Sequence, residues 1–498
     1  MKYLTPIIIS LLLFSCNSQS SKWQGECANA HDIGTIEIMP SLDRNALKVL
    51  LTVETAKKLN SYIRYWEYTG TDHPQDSCEV FYSPLCENQT QHELMLVNVK
   101  PGTKYNFNVV IQNERCKTYS KTYEFTSPKM PPWLAFYGNA DSLKNVSFDG
   151  YVHFHSRMKS GYLYLANSNG DLVWYKKVPM TIKVSKFTNA STFLTILSND
   201  TLRFASGNKI AEIDLFGQLV YHYDADEKGN ERIFHHEIDY DQEGNLMTLT
   251  SEKRVVDLSS VGGNANDTIK GDGILIMNKQ DQVIWEWSVF DVYDPNDYTN
   301  ILNERHDWLH ANALCQDSVG NYVVSFRNNS QIWKIEKESG RILWKLGGDE
   351  DQFNLPSEWQ FHGQHNVHYN DKGQLVLLDN GNKMVKPGLH KQLRERKQYR
   401  QFIKDNPQFY SRQLTFSIDD QKKHVSLASE VSFEARYLTK SQGSSQQIND
   451  DLVLFCSTNA DNIVFTNYEG KTLGNIPLER PSYRAQYIPQ LYPTTFVK

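Results

Sequence analysis

Long apolar runs are scarce in this 498-residue sequence, and after the first twenty residues no segment is apolar enough to span a membrane as a helix. Basic residues are not in excess, because 52 Lys and Arg stand against 58 Asp and Glu, giving a net charge of −6. A chain without a broad basic surface is not expected to bind nucleic acid. A charged fraction of 22% with 12% aromatic residues excludes wholesale disorder, and the length allows several domains.

Residues 1–16 have the pattern of an export signal. One Lys precedes an apolar run from Tyr3 to Phe14 that is too short for a permanent membrane helix. The run ends in Leu-Phe-Ser-Cys, which resembles a bacterial lipobox and makes Cys16 the expected lipidated first residue of the mature chain. Secretion without lipidation is the alternative. We therefore expect an extracytoplasmic protein that touches a bacterial membrane only through a lipid anchor and faces the periplasm.

Cysteine is also sparse, and six residues remain besides Cys16. They are Cys27, Cys78, Cys86, Cys116, Cys315 and Cys456. An even number in an oxidising compartment permits disulfides, and the first four lie within 90 residues, which is compatible with two bridges of undetermined pairing. Cys315 and Cys456 fall in strand-like runs and are expected to be buried thiols.

Residues 21–128 have the pattern of a small β-sandwich. Short alternating runs at 46–53 and 61–68 are separated by polar turns, as in half-buried strands. Further along, a Pro-Gly turn leads into a strand that carries Tyr105. This arrangement resembles the corner tyrosine of fibronectin type III domains. A Pro-rich stretch at 127–133 marks the end of the domain, because consecutive prolines interrupt strand pairing.

From residue 134 to 498 the chain repeats itself. Five times a turn residue leads into a short strand, at 170–175, 217–222, 281–286, 340–345 and 470–473. Gaps of 47 to 130 residues fit one four-stranded unit each, with a sixth unit hidden in the longest gap, where 414–419 and 424–428 form its hairpin. Repeated all-β units whose edges must be covered predict a closed six-bladed β-propeller. Two stacked open sheets are the alternative.

A polar, basic insertion at 383–412 interrupts the repeat. Its stretch 391–404 favours a helix, and we expect a solvated loop and helix there. A lid or a partner site is the alternative.

Three histidines occupy corresponding positions in different repeats. His236 and His365 are each followed by Tyr and Gly at identical spacing, and His310 opens the same plan with a turn two residues longer. Equivalent positions on different blades converge around the axis of a propeller, so the three imidazoles are expected to face one cavity. Burying three imidazoles costs desolvation unless all are hydrogen-bonded, so packing alone would favour apolar residues there.

Strand alternation sends neighbouring side chains to opposite faces. It predicts that His235 and His368 point away from the cavity, or serve the structure, and that Asn312 shares the face of His310. Arg327 ends the strand that returns after His310, and a hairpin brings it back to the same rim. Imidazoles beside an Arg, without paired carboxylates, suit an anion such as sulfate, sulfonate or phosphate.

Several familiar chemistries have no motif in the chain. Gly470-Lys471-Thr472 lacks the earlier glycine of a nucleotide-binding P-loop, because position 465 is Phe. Neither H-E-x-x-H nor G-x-S-x-G occurs, which excludes zincin and esterase motifs. The three histidines could instead bind a metal and serve a hydrolase or lyase. A cation beside Arg327 is unfavourable, so we expect neither metal nor cofactor.

Seven segments of the propeller resemble the bacterial arylsulfate sulfotransferase family, which uses no nucleotide donor. They are residues 234–239, 307–313, 325–327, 364–365, 379–381, 410–412 and 482–485. The most specific is Asp-Trp-x-His-x-Asn at 307–312 with Arg327 following. The resemblance implies a six-bladed propeller behind a small β-sandwich, a phenolic sulfate donor and a phenolic acceptor.

The resemblance also implies a ping-pong reaction through a sulfated histidine. His365 falls on the nucleophile of the family, while His310, His236 and Arg327 fall on groups around the sulfuryl. We expect Asn312 to orient the sulfate and favour His310 over His236 as acid and base, although the sequence does not decide between them. A non-catalytic propeller that binds anionic or sulfated ligands is the alternative function. The oligomeric state is open, with a homodimer as one option.

Overall fold

The computed structural model describes residues 32–40, 47–75, 78–96, 98–112, 116–137, 143–157, 160–200, 205–381 and 396–492. The expected signal segment with Cys16, and also Cys27, lie outside the described residues. Within them, no helix combines the length and the apolar character needed to cross a membrane.

The described residues of the N-terminal part form a seven-stranded antiparallel sheet. Its strands are β1 (Ile33–Pro40), β2 (Val49–Glu67), β3 (Val80–Tyr82), β4 (Cys86–Leu96), β5 (Lys104–Gln112), β6 (Lys117–Tyr119) and β7 (Tyr123–Thr126). The 19-residue β2 lies at its centre, pairing with β1 and β4 along its first half and with β3 and β5 along its second. One long strand therefore joins two sets of partners.

Tyr105 makes the contact expected of a corner tyrosine. Its side chain is buried, its ring stacks on Phe125 at 5.3 Å, and its hydroxyl accepts a hydrogen bond from the Lys100 backbone N–H at 2.8 Å. The assignment of this domain to the fibronectin type III class stays a prediction.

The cysteine pattern needs a correction. Cys116 is disulfide-bonded, but Cys78 and Cys86 are free thiols, so two bridges in this segment are wrong. Cys86 stands opposite Ser61 in the β2–β4 ladder, whereas the Cys78 thiol contacts the Glu67 carbonyl, so each thiol has a different neighbour. Cys315 and Cys456 are free thiols, as expected, and Cys456 is buried, whereas Cys315 is only half-buried.

The described residues from 151 to 488 form six antiparallel blades, five of four strands and one with a short fifth strand. Blades 1 to 3 comprise β8 (Tyr151–Ser156), β9 (Gly161–Asn167), β10 (Leu172–Val178) and β32 (Ala485–Ile488); β11 (Thr181–Phe187), β12 (Thr192–Ser198), β14 (Lys209–Asp214) and β15 (Leu219–Asp224); and β16 (Ile233–Tyr240), β17 (Leu246–Val256), β18 (Asp267–Met277) and β19 (Val283–Ser288), with the short β13 (Ser206–Gly207) on β16. Blades 4 to 6 comprise β20 (Ala311–Gln316), β21 (Tyr322–Phe326), β22 (Gln331–Ile335) and β23 (Ile342–Leu346); β24 (His365–Tyr369), β25 (Leu375–Asp379), β26 (Arg412–Asp419) and β27 (His424–Ser432); and β28 (Ser444–Gln447), β29 (Val453–Ser457), β30 (Asn462–Thr466) and β31 (Thr472–Pro477).

The C-terminal strand closes the ring. β32 pairs with β8, so the last strand of the chain completes the blade that the first strands of the propeller began. Closure leaves no inner edge exposed, and the predicted all-β fold with a six-bladed propeller is confirmed. The alternative of two open sheets is wrong.

The turn-plus-strand signals of the sequence are the outermost strands of the blades. Five of them coincide with β10, β15, β19, β23 and β31, and the hidden unit is the β26–β27 hairpin. In two of these signals the aromatic residue is a Trp whose indole N–H donates to the next blade: Trp174 to the Leu215 carbonyl at 2.8 Å, and Trp344 to the Asp420 carboxylate at 2.9 Å. Trp287 of β19 follows directly after the signal at 281–286 and donates to the Gly340 carbonyl at 2.8 Å.

Helices are short in the described part of the chain. They are α1 (Ile301–Glu304), α2 (Arg396–Asp405) and 3-10 turns at Pro132–Tyr137, Ser259–Val261, Val289–Asp291, Pro295–Asp297 and Ala435–Tyr437. The helix predicted in the 383–412 insertion is therefore present as α2, while residues 382–395 lie outside the described residues. Ile403 of α2 packs on Leu438 at the rim of the propeller.

Candidate active site

Three inner strands begin at the same mouth of the central channel and bring the predicted histidines together. His236 lies near the start of β16, His310 directly precedes β20, and His365 is the first residue of β24. The rings of His236 and His310 are 4.8 Å apart, and both His310 and His365 act electrostatically on His236. Residues separated by 129 positions thus share one site.

Backbone irregularities turn these side chains into the channel. His236, His310 and Asn366 have φ values of 58°, 58° and 53°, and the strand ladders shift register beside each of them. Such bulges re-aim side chains and break the alternation of a strand. His235 does not point out to solvent but is buried, with its Nδ1 2.9 Å from Nδ1 of His236, which fits the structural role that the sequence left open. His368 lines a cavity of about 440 Å³ at the other mouth.

His365 is held in one tautomer. Its Nδ1 lies 2.9 Å from the Gly363 carbonyl oxygen and 2.7 Å from Oδ1 of Asn380, and both oxygens can only accept, so Nδ1 carries the hydrogen. The Asn380 amide nitrogen donates to the Thr439 and Gln442 carbonyls at 2.7 and 3.0 Å, which fixes its oxygen toward His365. The lone pair is therefore on Nε2, which accepts the Gln442 backbone N–H at 3.0 Å.

The surroundings keep His365 neutral. Burial is the main cause that lowers its pKa well below the ordinary value, and the positive charge of Arg327 lowers it further, against the hydrogen bond that His365 donates to Asn380. A neutral imidazole with its lone pair on a fixed nitrogen is a competent nucleophile.

Arg327 reaches this site as the sequence predicts, because its backbone N–H donates to the His310 carbonyl at 3.0 Å across the β20–β21 hairpin. Its guanidinium donates to Oδ1 of Asn328 at 3.1 Å. Burial lowers the pKa of Arg327, with Asp307 and Glu304 acting in the opposite direction, and a guanidinium remains charged in such surroundings. The site therefore holds a fixed positive charge beside a neutral nucleophile.

His310 forms a dyad with Asp307. Its Nδ1 lies 2.6 Å from the Asp307 carboxylate, three residues earlier in the chain. Burial raises the pKa of Asp307, but the hydrogen bond and the charge of His310 outweigh burial and hold it below its ordinary value. The carboxylate fixes Nδ1–H, so Nε2 is the nitrogen left for proton exchange with a ligand.

Asn312 is fully buried between two blades. Its amide nitrogen donates to the Gln364 carbonyl at 2.7 Å, next to His365, and its Oδ1 has no hydrogen-bond partner among the described residues. The side-chain contact that the structure gives Asn312 is with Gln364, the residue directly before His365. Its expected role in orienting sulfate stays a prediction.

Several residues of the site were not predicted from their own sequence positions. Arg484 donates to the Glu237 carboxylate at 2.5 Å and to the Asn312 carbonyl at 2.9 Å, and the ring of Tyr483 lies 5.9 Å from that of His236. The sequence carried a signal for these two only in the segment 482–485 of the family resemblance. Asn380 was likewise signalled only by the segment 379–381 of the resemblance, and Gln442 gave no signal, because it meets His365 from 77 positions away.

Three of the imidazole nitrogens of His365 and His310 already have hydrogen-bond partners, which does not favour a metal ion shared by the histidines. Both nitrogens of His365 are hydrogen-bonded, and Nδ1 of His310 is bound to Asp307. In the described part of the chain, a metal-ligand grouping occurs elsewhere, at His222, Asp224 and Glu227 on the outside of blade 2, where Lys209 already occupies Asp224.

The sequence pattern of the arylsulfotransferase (ASST) family matches residues 88–476. The chain belongs to the arylsulfotransferase family. The matched region runs from β4 to β31 and includes all three site histidines and Arg327, whereas β32 and the adjacent Tyr483 and Arg484 follow it. Among curated proteins, none matches this arylsulfotransferase chain significantly.

Solved structures resemble the fold only distantly. A protein of unknown function from Bacteroides caccae is 9% identical, covers 69% of this chain and 100% of its own, and has a TM-score of 0.40. A virginiamycin B lyase from Staphylococcus aureus is 11% identical, covers 67% of this chain and 87% of its own, and has a TM-score of 0.33. Likenesses this remote say nothing about the reaction of the family member described here.

Proposed function

We propose that this arylsulfotransferase moves a sulfuryl group from a phenolic sulfate ester to a phenolic acceptor through a covalent sulfohistidine at His365. The observation that carries the proposal is the neutral imidazole of His365, whose Nε2 lone pair is fixed by Gly363 and Asn380 beside the positive charge of Arg327. Nucleophile and charge stabilisation are then present without a nucleotide or a metal.

In the first half-reaction, Nε2 of His365 attacks the sulfur of the donor as the bond from sulfur to the phenolic oxygen breaks. The N–S bond forms, and the departing phenolate takes a proton from the His310 imidazolium, which Asp307 holds at 2.6 Å. Attack requires the Gln442 N–H to leave Nε2. The positive charge that develops on the sulfated imidazole is stabilised by the Nδ1–H bond to Asn380.

In the second half-reaction, the acceptor phenol attacks the same sulfur and gives its proton to His310. The N–S bond breaks, its electron pair returns to Nε2, and the aryl sulfate product leaves. The second step is the reverse of the first with a different phenol, so one acid–base group serves both. Arg327 neutralises the sulfuryl oxygens in the loose transition state expected for such a transfer.

Donor-only labelling tests this mechanism. A chromogenic aryl sulfate without acceptor is expected to release one equivalent of phenol in a burst and to add the mass of one SO₃ group to the peptide that contains His365. His365→Ala should abolish both, whereas His424→Ala, exposed on the same blade, should retain both. Turnover without a burst, or a label on another residue, contradicts the sulfohistidine. Binding without turnover supports the non-catalytic alternative.

We also propose that the mature protein is anchored outside the cytoplasm by lipid on Cys16, on the strength of the lipobox-like sequence alone. Cys16→Ser is expected to move the protein from the membrane fraction to the soluble fraction of the periplasm. Retention in the membrane fraction would contradict the lipid anchor.

A further inference from the structure

His236 is connected to a buried carboxylate that the proposed reaction does not use. Nδ1 of His236 lies 2.9 Å from Nδ1 of His235, and Nε2 of His235 lies 3.4 Å from the Asp272 carboxylate. The other oxygen of Asp272 accepts the Ala311 backbone N–H at 2.8 Å. His235 and Asp272 are 3% and 5% exposed, so solvent does not screen this connection.

The positions of the hydrogens on Asp272, His235 and His236 determine what these three groups can do together. Nε2 of His235 has no hydrogen-bond partner among the described residues, so the ionised Asp272 carboxylate 3.4 Å away is the charge that favours placing the His235 hydrogen on Nε2. Nδ1 of His235 is then an acceptor, and His236 must donate to it through its own Nδ1–H. A neutral His236 consequently presents an Nε2 lone pair, which repels an anionic oxygen. Only a protonated His236 keeps the bond to His235 and also offers an N–H to a ligand.

We propose that Asp272, acting through His235, supplies the negative charge that lets His236 take up a proton when an anionic sulfate group binds in the site. The donor then enters together with a proton, and His236 becomes a positively charged donor to the sulfuryl oxygens. This inference rests on the proposed function only in identifying the anion as a sulfate ester. Asp272 and His235 are positioning residues, since they act through His236.

The groups around His236 explain why His236 takes up its proton only when the anion binds. His310, His365, Arg484 and Tyr483 face His236 from the neighbouring elements, and burial with the nearby positive charges lowers the pKa of His236 well below its ordinary value. His236 is therefore neutral in the empty site.

Lys270, Asp307 and His310 act on Asp272 along with His235, and burial raises the pKa of Asp272 to about 6. The carboxylate is thus ionised at pH 7.5, and its charge is available once an anion joins the site.

Proton uptake on binding tests the proposal without any transfer. Benzenesulfonate has a C–S bond where the substrate has an ester oxygen, so it binds as an anion but leaves no phenolate. Calorimetry at pH 7.5 in two buffers of different ionisation enthalpy counts the protons taken up. Wild-type protein is expected to take up about one proton per sulfonate, because one imidazole is charged on binding.

Asp272→Asn removes the charge while its amide oxygen can still accept the Ala311 N–H. We expect proton uptake to fall below half of the wild-type value and the Kd for benzenesulfonate to rise about tenfold to hundredfold, the worth of one hydrogen bond to a charged group. His235→Asn is the second variant, because an asparagine oxygen there can accept from His236 but cannot reach Asp272. It should show the same loss even if Asp272→Asn does not fold.

Asp291→Asn, an exposed carboxylate that pairs with Arg254 beside the outermost strand of the same blade, is the matched control and should keep the proton uptake. Normal uptake in Asp272→Asn or His235→Asn overturns the proposal, as does sulfonate binding without proton uptake in the wild type. Absence of sulfonate binding overturns it as well. The donor-only burst is measured independently of the proton uptake on sulfonate binding. Failure of the proposed function can therefore be distinguished from failure of this inference.

Discussion

At the residue scale, the chemistry of the site depends on which nitrogen of His365 carries a hydrogen. A carbonyl and an asparagine oxygen hold Nδ1–H, and the Asn380 side chain is itself locked by two backbone carbonyls. The tautomer is therefore set by neighbours that cannot donate in its place. A substitution of any of these neighbours therefore changes the protonation of His365 without replacing His365 itself.

Asn380→Asp tests this dependence. A carboxylate beside Nδ1 favours the imidazolium, so it should raise the pKa of His365 and leave Nε2 protonated at neutral pH. The burst rate at pH 7 is expected to fall about tenfold for each unit of pKa above 7 and to recover as pH rises through the new value. Asn459→Asp, which places the same charge in contact with Thr439 instead, should leave the rate profile unchanged. A pH-independent loss in Asn380→Asp would contradict this account.

Arg327→Gln removes the fixed charge next to the nucleophile. We expect the burst rate to fall by about 10² to 10³, as when one donor to a developing negative charge is removed. Because Arg327 lowers the pKa of His365, the acid limb of the rate profile should also move to higher pH. Arg341→Gln, exposed on the same blade, serves as the control and should match the wild type. An unchanged acid limb would show that Arg327 does not influence the pKa of His365.

At the element scale, the hairpins of the blades place the site residues, and their turns carry the strain. Asn380 follows β25 and is succeeded by Gly381, whose φ is +72°. A Cβ at this position would lie 2.2 Å from the Tyr410 carbonyl oxygen, so only glycine fits. The other end of the same hairpin has Gly373, with φ of +71° and no heavy atom within 4 Å of an added Cβ.

These two glycines form a matched pair of variants. Gly373→Ala incurs only the backbone cost of the left-handed conformation, about 1 to 2 kcal/mol. Gly381→Ala incurs that cost and the steric clash, so its free energy of unfolding in urea should fall by roughly 2 kcal/mol more. Since the clash also displaces Asn380, the burst rate should decrease in Gly381→Ala and stay normal in Gly373→Ala. If Gly381→Ala and Gly373→Ala change the burst rate equally, the turn at Gly381 does not position Asn380.

Prediction from sequence succeeded for elements that repeat and failed where one residue departs from the repeat. The outer strands were visible because each follows a turn residue at a corresponding position of the repeat, and in two of them Trp174 and Trp344 hydrogen-bond to the next blade. The bulges at His236 and His310 were invisible, since residues other than glycine adopt positive φ there. The histidines were found by their shared spacing, whereas Gln442 meets His365 only after the chain has folded across 77 positions.

At the scale of the whole molecule, one buried ion pair joins two blades that are not neighbours in the ring. Arg484 precedes the closing strand, Glu237 belongs to blade 3, and their charged groups are 2.5 Å apart although the residues are 247 positions apart. Burial lowers the pKa of Arg484, but the Glu237 carboxylate outweighs burial and raises it above its ordinary value. The pair therefore fixes the closure of the ring from inside.

Arg484→Met leaves Glu237 buried without its partner, and we expect a loss of about 3 to 5 kcal/mol in the free energy of unfolding at pH 7.5. The folded variant must then protonate Glu237, so it binds more protons than the unfolded chain and gains stability as pH falls. Urea unfolding at pH 7.5 and 5.5 should show this recovery relative to the wild type. Combining the change with Glu237→Gln should abolish the pH dependence; its persistence would place the titrating group elsewhere.

The pairing of β32 with β8 also determines when a newly made chain becomes competent. Synthesis proceeds from the N-terminus, so the first blade has an open inner edge until β32 is available to pair. Tyr483 and Arg484 directly precede β32. A chain that ends at residue 482 can form five complete blades that carry the three histidines, but no finished channel around them.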